Sequence, residues 1–240
     1  MKLNKKNAKK ILKYYLYNNK PKYKHSLRVA TMCQILARKW HVPEEEAYIA
    51  GLLHDIGKSY HSSEMLDYCS RYNLKLYEYE VMCNPNSLHG IISAFLTEKH
   101  FNRMSDRDKL EKILRAIRRH VCGSGEMSDL DKIVYIADKI EPKKEDSVLA
   151  KDVIKGKISL NECILSIIDR KMDRAKKQDK IYNPFLDALR ESILEESKNK
   201  KEQRKIVPKI DVTYNNGGLT DYYKETSSVD KTRNDVCIVL

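Results

Sequence analysis

Apolar residues recur at helical spacing along the chain up to about residue 198, and no convincing stretch alternates with a period of two. Residues 4–17 set Ala8, Ile11, Leu12, Tyr15 and Leu16 on one stripe, and Asn18-Asn19-Lys20-Pro21 ends that helix. A second helix is predicted from about Tyr23 to Trp40, with Leu27, Ala30, Met32, Cys33 and Leu36 mostly inward. Pro43 followed by Glu44-Glu45-Glu46 marks the start of a third, with acids at the positive end of its dipole. It runs into Leu52-Leu53-His54-Asp55-Ile56-Gly57-Lys58. A fourth helix spans Ser62 or Ser63 to about Tyr72. Residues 74–86 are less regular, and Ser87-Leu88-His89-Gly90 opens a helix to Phe101. Ser105 and Asp108 form a weak capping box before a helix that buries Leu110, Ile113, Leu114 and Ile117 and ends at His120. Ser128 with Asp131 starts a helix to Ile140, and Ser159 with Glu162 one to about Lys176. Asn183-Pro184 caps a last one to about Lys198. The expected fold is all-α, with residues 1–199 as one domain and residues 200–240, polar and aperiodic, as a disordered extension.

The charge of +12 is unevenly placed. Nine lysines and no acid lie in residues 1–24, whereas residues 25–199 are close to neutral. Basic ends on a neutral body fit solvation better than nucleic-acid binding, which is not expected, because no aromatic-interleaved basic groove is visible. Six cysteines without a C-x-x-C pair, no secretory apolar segment and no apolar run of membrane-spanning length point to reduced thiols in a cytoplasm.

The chemistry concentrates at helix ends. His54-Asp55 sets an imidazole beside a carboxylate, donors that suit a borderline divalent ion. Gly57 permits a sharp turn, and Lys58 then offers a charge for phosphate. His25, His89 and His120 fall at helix ends or first turns. Asp138 sits in the apolar run Ile133-Val134-Tyr135-Ile136-Ala137, where a carboxylate needs a partner or a metal. Arg28 and Glu141, one turn from such positions, read as orienting or packing residues. His41, His61 and His100 carry no assignment. From the residues alone, a metal hydrolase and a non-catalytic helical module binding nucleic acid or ribosomes through its basic ends both stay open.

In order, His25, His54-Asp55, His89, His120 and Asp138 resemble the ligand pattern of HD-superfamily metal phosphohydrolases. More narrowly, His25-Ser26-Leu27-Arg28-Val29-Ala30, Leu53-His54-Asp55-Ile56-Gly57-Lys58, Leu88-His89-Gly90, Ala116-Ile117-Arg118-Arg119-His120, Met127-Ser128-Asp129-Leu130-Asp131-Lys132-Ile133-Val134 and Ala137-Asp138-Lys139-Ile140-Glu141-Pro142 resemble the bacterial YqeK-type symmetrical bis(5'-nucleosyl)-tetraphosphatases. The resemblance covers about residues 8–195. It implies an HD helical bundle, with its core at about 22–142, that hydrolyses diadenosine tetraphosphate symmetrically to two ADP by a metal-activated water. It also implies a divalent cofactor: iron, with Mn, Co or Zn as substitutes, in one or two ions. His25, His54, Asp55 and Asp138 would ligate the primary ion, and His89 and His120 a second ion or the phosphates. Asp55, Lys58 and His120 would be catalytic. Nucleotide would be bound by His25, Asp55, Lys58, His89, His120, Asp138, Lys144 and the segment Ile181, Tyr182, Asn183, Pro184. A homodimer is a further expectation, and another nucleotide or an alarmone is the alternative substrate. The chain departs from the pattern at Val121-Cys122, where threonines are usual, and at Lys144, where an arginine is frequent. Lys144 keeps the charge but lacks the bidentate fork.

Overall fold

A computed structural model describes residues 2–76, 85–101, 106–179 and 185–206, and every regular element among them is helical. The α-helices are α1 (Lys5–Leu16), α2 (Lys20–Lys39), α3 (Glu44–Leu53), α4 (Met65–Arg71), α5 (His89–Phe101), α6 (Arg107–Arg119), α7 (Asp129–Ile140), α8 (Ala150–Lys155), α9 (Leu160–Lys177) and α10 (Phe185–Ile206). Short 3-10 turns at Ile56–Ser59, Ser62–Glu64, Pro85–Leu88 and Glu145–Leu149 join them. Among the described residues no helix is long and apolar enough to cross a membrane. Among the described residues Cys33, Cys69, Cys122 and Cys163 form no disulfide, and Cys83 and Cys237 lie outside the described residues.

Helix α3 is the central strut. Ala47 through Leu53 are buried on every side, the pattern of a helix surrounded by others, and it packs against α1, α2, α6 and α7. Burial of Ile49, Leu52 and Leu53 contributes about 1.5–3 kcal/mol each. At Gly51 an added Cβ would meet Cys33 Sγ at 2.6 Å, so glycine lets α2 and α3 approach closely enough to bring His25 beside His54.

A buried carboxylate fixes α7 against α6. Ser128 Oγ accepts from Asp131 N, and Asp131 Oδ2 in turn accepts from Ser128 N at 3.0 Å, which makes a capping box at the predicted helix start. The same wholly buried Asp131 pairs with Arg119 at 2.9 Å and Arg115 at 3.1 Å. The end of α6, where His120 sits, is thereby held against the start of the helix that carries Asp138.

Three boundaries differ from those predicted. Helix α2 begins at Lys20, because Asn19 caps it by accepting from Lys22 N and Pro21 is tolerated in its first turn. The cap of α6 is Asp106, which accepts from Lys109 N at 3.1 Å; Ser105 lies outside the described residues. Helix α10 runs to Ile206, so residues 200–206, expected in the extension, are helical. The run after Glu195 is rich in Lys, Glu, Gln and Arg, good helix formers that continue a helix without an apolar stripe. Buried Leu186, Leu189 and Ile193 dock α10, and the buried Lys132 of α7 binds both oxygens of Glu196 at 2.6 and 2.7 Å. Residues 207–240 lie outside the described residues. The short α8 and the turn before it were not anticipated. Asp146 stabilises that turn by pairing with Arg170 and Arg174 of α9 at 2.9 and 2.8 Å.

Candidate metal centre

Five helices deliver the six predicted ligand-type residues to one point, each from at or near one end. His54 caps the C-terminus of α3 and Asp55 follows it. His89 opens α5, His120 caps the C-terminus of α6, His25 lies in the second turn of α2 and Asp138 in the last turn of α7. Three overlapping groups, His25/His54/Asp55, His54/His120/Asp138 and Asp55/His89/His120, each hold their ligand atoms within 4.8 Å of one another. None of these groups includes Cys122.

The imidazoles are all turned the same way. Nδ1 of His54 donates to Gly51 O at 2.7 Å, Nδ1 of His120 to Ile117 O at 2.6 Å, and Nδ1 of His89 to Asn86 O. Each uses the carbonyl three residues earlier, and a carbonyl only accepts, so the proton stays on Nδ1. His25 Nδ1 lies 3.2 Å from Glu141 Oε1, and Glu141 takes two bonds from Arg28 at 2.6 and 3.0 Å. Arg28 and Glu141 are therefore the orienting pair of His25, as their spacing suggested. Every Nε2 points inward.

The inward atoms crowd. His25 Nε2 is 3.0 Å from Asp138 Oδ1 and 3.6 Å from Asp55 Oδ2. His54 Nε2 is 3.4 Å from Asp55 Oδ2 and 3.7 Å from Asp138 Oδ1. His89 and His120 reach the other oxygen, Asp55 Oδ1, at 3.3 and 3.6 Å. Asp55 thus bridges two histidine pairs. His54 Nε2 and Asp55 Oδ1 are buried and make no hydrogen bond with the protein. His89 Nε2 and His120 Nε2 face each other at 3.1 Å with both Nδ1 atoms already donating, so two lone pairs oppose one another. An interposed cation relieves both defects, and imidazole nitrogen with carboxylate oxygen is a donor set for Fe, Mn, Co or Zn. The residues fit a divalent ion.

The two carboxylates make the interior favour a cation, a proton or a metal ion. Burial opposes charge on His54, but Asp55 and Asp138 outweigh it and raise the imidazole to about 9. Burial lowers His120 to about 3 against the pull of Asp55, which keeps it neutral and available as a donor. Burial would raise Asp55 and Asp138. The charge on His54 instead holds Asp55 well below the usual carboxylate range, and Lys139, His25 and His54 do so for Asp138.

Two predicted cations are in place. Lys58 Nζ is 2.8 Å from Asp55 Oδ2, and Lys144 Nζ is 3.9 Å from Asp138 Oδ1; both are partly exposed. Ile181, Tyr182, Asn183 and Pro184 lie outside the described residues. His41, His61 and His100 belong to none of the three groups; His100 meets Tyr15 OH and His61 meets Ser63 Oγ. Val121 packs close to Gly90, where a Cβ would meet its Cγ2 at 3.0 Å. Sequence reasoning passed over Lys22, which donates to Lys58 O at 2.8 Å, and Lys139, which donates to Asp138 Oδ2 at 3.1 Å. Only the adjacency of Lys139 to Asp138 could have flagged it.

The profile of the HD domain matches residues 23–143. A symmetrical bis(5'-nucleosyl)-tetraphosphatase of Staphylococcus aureus is 30% identical over 175 residues, 70% of this chain and 84% of that protein. One from Halalkalibacterium halodurans is 26% identical over 196 residues, 81% of this chain and the whole of that protein. Among solved structures, one from Clostridium acetobutylicum described as a predicted HD superfamily hydrolase involved in NAD metabolism is 29% identical. It superposes with a TM-score of 0.67 over 78% of this chain and 96% of its own.

Proposed function

Because this chain belongs to the HD domain family, we propose that its six-residue centre hydrolyses dinucleoside tetraphosphate symmetrically, diadenosine tetraphosphate giving two ADP. The observation that carries the reading is Asp55 between two histidine pairs, with its Oδ1 and the Nε2 of His54 buried and unbonded. The names of the two tetraphosphatase relatives support the substrate. The catalytic unit in this reading is residues 1–199, with its HD core at about 22–142.

In this reading His25, His54, Asp55 and Asp138 hold one divalent ion, and Asp55, His89 and His120 line the position of a second. Iron is our assignment, and Mn, Co or Zn would suit the same donors. When bound, such ions neutralise phosphate charge and lower the pKa of a coordinated water toward ~7. The remaining work falls to the protein. Lys58 and Lys144 can swing their ammonium groups from Asp55 and Asp138 to phosphate oxygens, placing positive charge at two points on the rim of the centre. Arg28, through Glu141, holds His25 in one tautomer. His120, neutral and with Nδ1 tied to Ile117 O, offers only Nε2 to an ion or a proton. Both oxygens of Asp55 face histidine pairs, so it bridges the two halves of the centre.

The test is product analysis by anion exchange after incubating metal-loaded protein with diadenosine tetraphosphate. ADP as sole nucleotide product, lost in Asp138→Ala, is expected. Equal ATP and AMP would refute symmetrical cleavage. Turnover of a mononucleotide or an alarmone without cleavage of the tetraphosphate would move the substrate, with Val121-Cys122 and Lys144 the residues responsible.

A further inference from the structure

Lys139 joins the two halves of the centre. It is the residue after Asp138, and its side chain is 20% exposed. Its Nζ donates to Asp138 Oδ2 at 3.1 Å and also to the backbone carbonyl of His120. The ammonium lies 4.2 Å from the centroid of the Tyr135 ring, one turn back on the same helix. Asp138 presents its other oxygen, Oδ1, to His25 and His54. His120 presents Nε2 to His89 and Asp55. One cation therefore grips the outward oxygen of a carboxylate that faces the first pair of histidines and the main chain of a residue in the second.

We propose that Lys139 is a positioning residue that orients Asp138 and sets the separation of the two ion positions. Without it Asp138 Oδ2 loses its donor and the carboxylate is held by Oδ1 alone, and the end of α6 loses its tether to α7 beside the centre, although Asp131 still joins these helices further away. Charge and reach both matter. Met keeps the stem of Lys139 and its packing on Tyr135 but removes the donor, whereas Arg keeps a cation and several donors. The inference rests on the reading of the cluster as a divalent-ion centre.

The experiment is titration of ion-stripped full-length protein with Mn²⁺, followed by calorimetry, for the unaltered chain, Lys139→Met and Lys139→Arg. Partners that orient metal ligands typically alter affinity by ~10–100-fold. Lys139→Met is expected to bind at least ~10-fold more weakly with its melting temperature within a few degrees of the unaltered chain, and Lys139→Arg to recover most of that loss. Unchanged Mn²⁺ affinity and stoichiometry in Lys139→Met would overturn the proposal. Failure of both Lys139→Met and Lys139→Gln to fold, judged by circular dichroism, would overturn it too, by making the lysine a prop of the fold. Absence of binding by the unaltered chain would instead strike the ion-centre reading on which the proposal stands.

Discussion

Gly57→Ala tests whether the geometry of the centre depends on how closely its parts approach. Gly57 lies in the 3-10 turn after Asp55, and its φ is not in the left-handed region, where only Gly123 and Gly156 fall among the described glycines. The turn itself therefore does not need glycine; the neighbours do. A Cβ there would meet His89 O at 2.5 Å, Ser93 N at 3.0 Å and Ser93 Oγ at 3.0 Å, against an ordinary contact of 3.4–4 Å. Two of these atoms are backbone at the start of α5, so no side-chain rotation relieves the clash. The turn and α5 must separate by about 1 Å, the shortfall at His89 O, and this would stretch the 2.8 Å bond from Gly57 N to Ser93 Oγ. Overpacking of this kind costs roughly 1–3 kcal/mol, or about 2–4 °C of melting temperature per kcal/mol for a chain of this size. Because His89 and Asp55 flank the clash, a shift of that size is expected to lower turnover by ~100-fold. Gly125→Ala is the comparison. Its Cβ meets only the Ser192 side chain, at 3.1 Å, and is expected to change stability by less than ~1 kcal/mol. The assays are scanning calorimetry and steady-state hydrolysis. A Gly57→Ala protein with unaltered melting temperature and turnover would refute the reasoning.

Further outcomes follow from other contacts. Glu141→Gln weakens the acceptor that orients His25 and should lower Mn²⁺ affinity by ~10-fold or more, read by calorimetric titration, with far-UV circular dichroism unchanged. Asp131→Ala strands Arg119 and Arg115. The loss should fall toward the lower end of the ~3–5 kcal/mol typical of broken buried pairs, since the arginines retain access to water, and a urea midpoint reports it. In acid, burial works to raise Glu141, but Arg28, the Lys143 amide and His25 hold it at about 2. Its folded pKa is lowered, so it contributes stability that is present above its unfolded pKa of ~4.3 and lost as pH falls toward 2. Arg28→Met should flatten the rise of stability with pH between about pH 2 and 4.3, measured by urea unfolding across that window.

Most of the centre was legible because its residues sit at helix ends, where sequence punctuation is strongest. Pro43 with three glutamates fixed the start of α3, and the all-apolar run to Leu53 fixed its burial, which places His54-Asp55 in the interior. Asp138 was conspicuous as a carboxylate in an apolar helix. Less visible was anything that depends on distance rather than pattern. The close approach at Gly57 reads in sequence as a turn, yet it is a contact with α5. Lys139 reads as an ordinary polar residue after an acid until its ammonium is found on His120 O. The bridging role of Asp55 requires knowing that both of its oxygens face imidazoles. The end of α10 was misplaced because helix propensity alone, without an apolar stripe, carries it to Ile206.

The account stands on Asp55 as the shared ligand of a divalent-ion centre, so the most direct measurement is metal content by plasma mass spectrometry. The samples are the anaerobically purified protein and Asp55→Asn, each with and without Fe²⁺ reconstitution. One or two ions per unaltered chain, with most of that content lost in a folded Asp55→Asn protein, is the predicted result. An unaltered protein that takes up no Fe²⁺, Mn²⁺, Co²⁺ or Zn²⁺, or an Asp55→Asn protein that holds its ions undiminished, would contradict it.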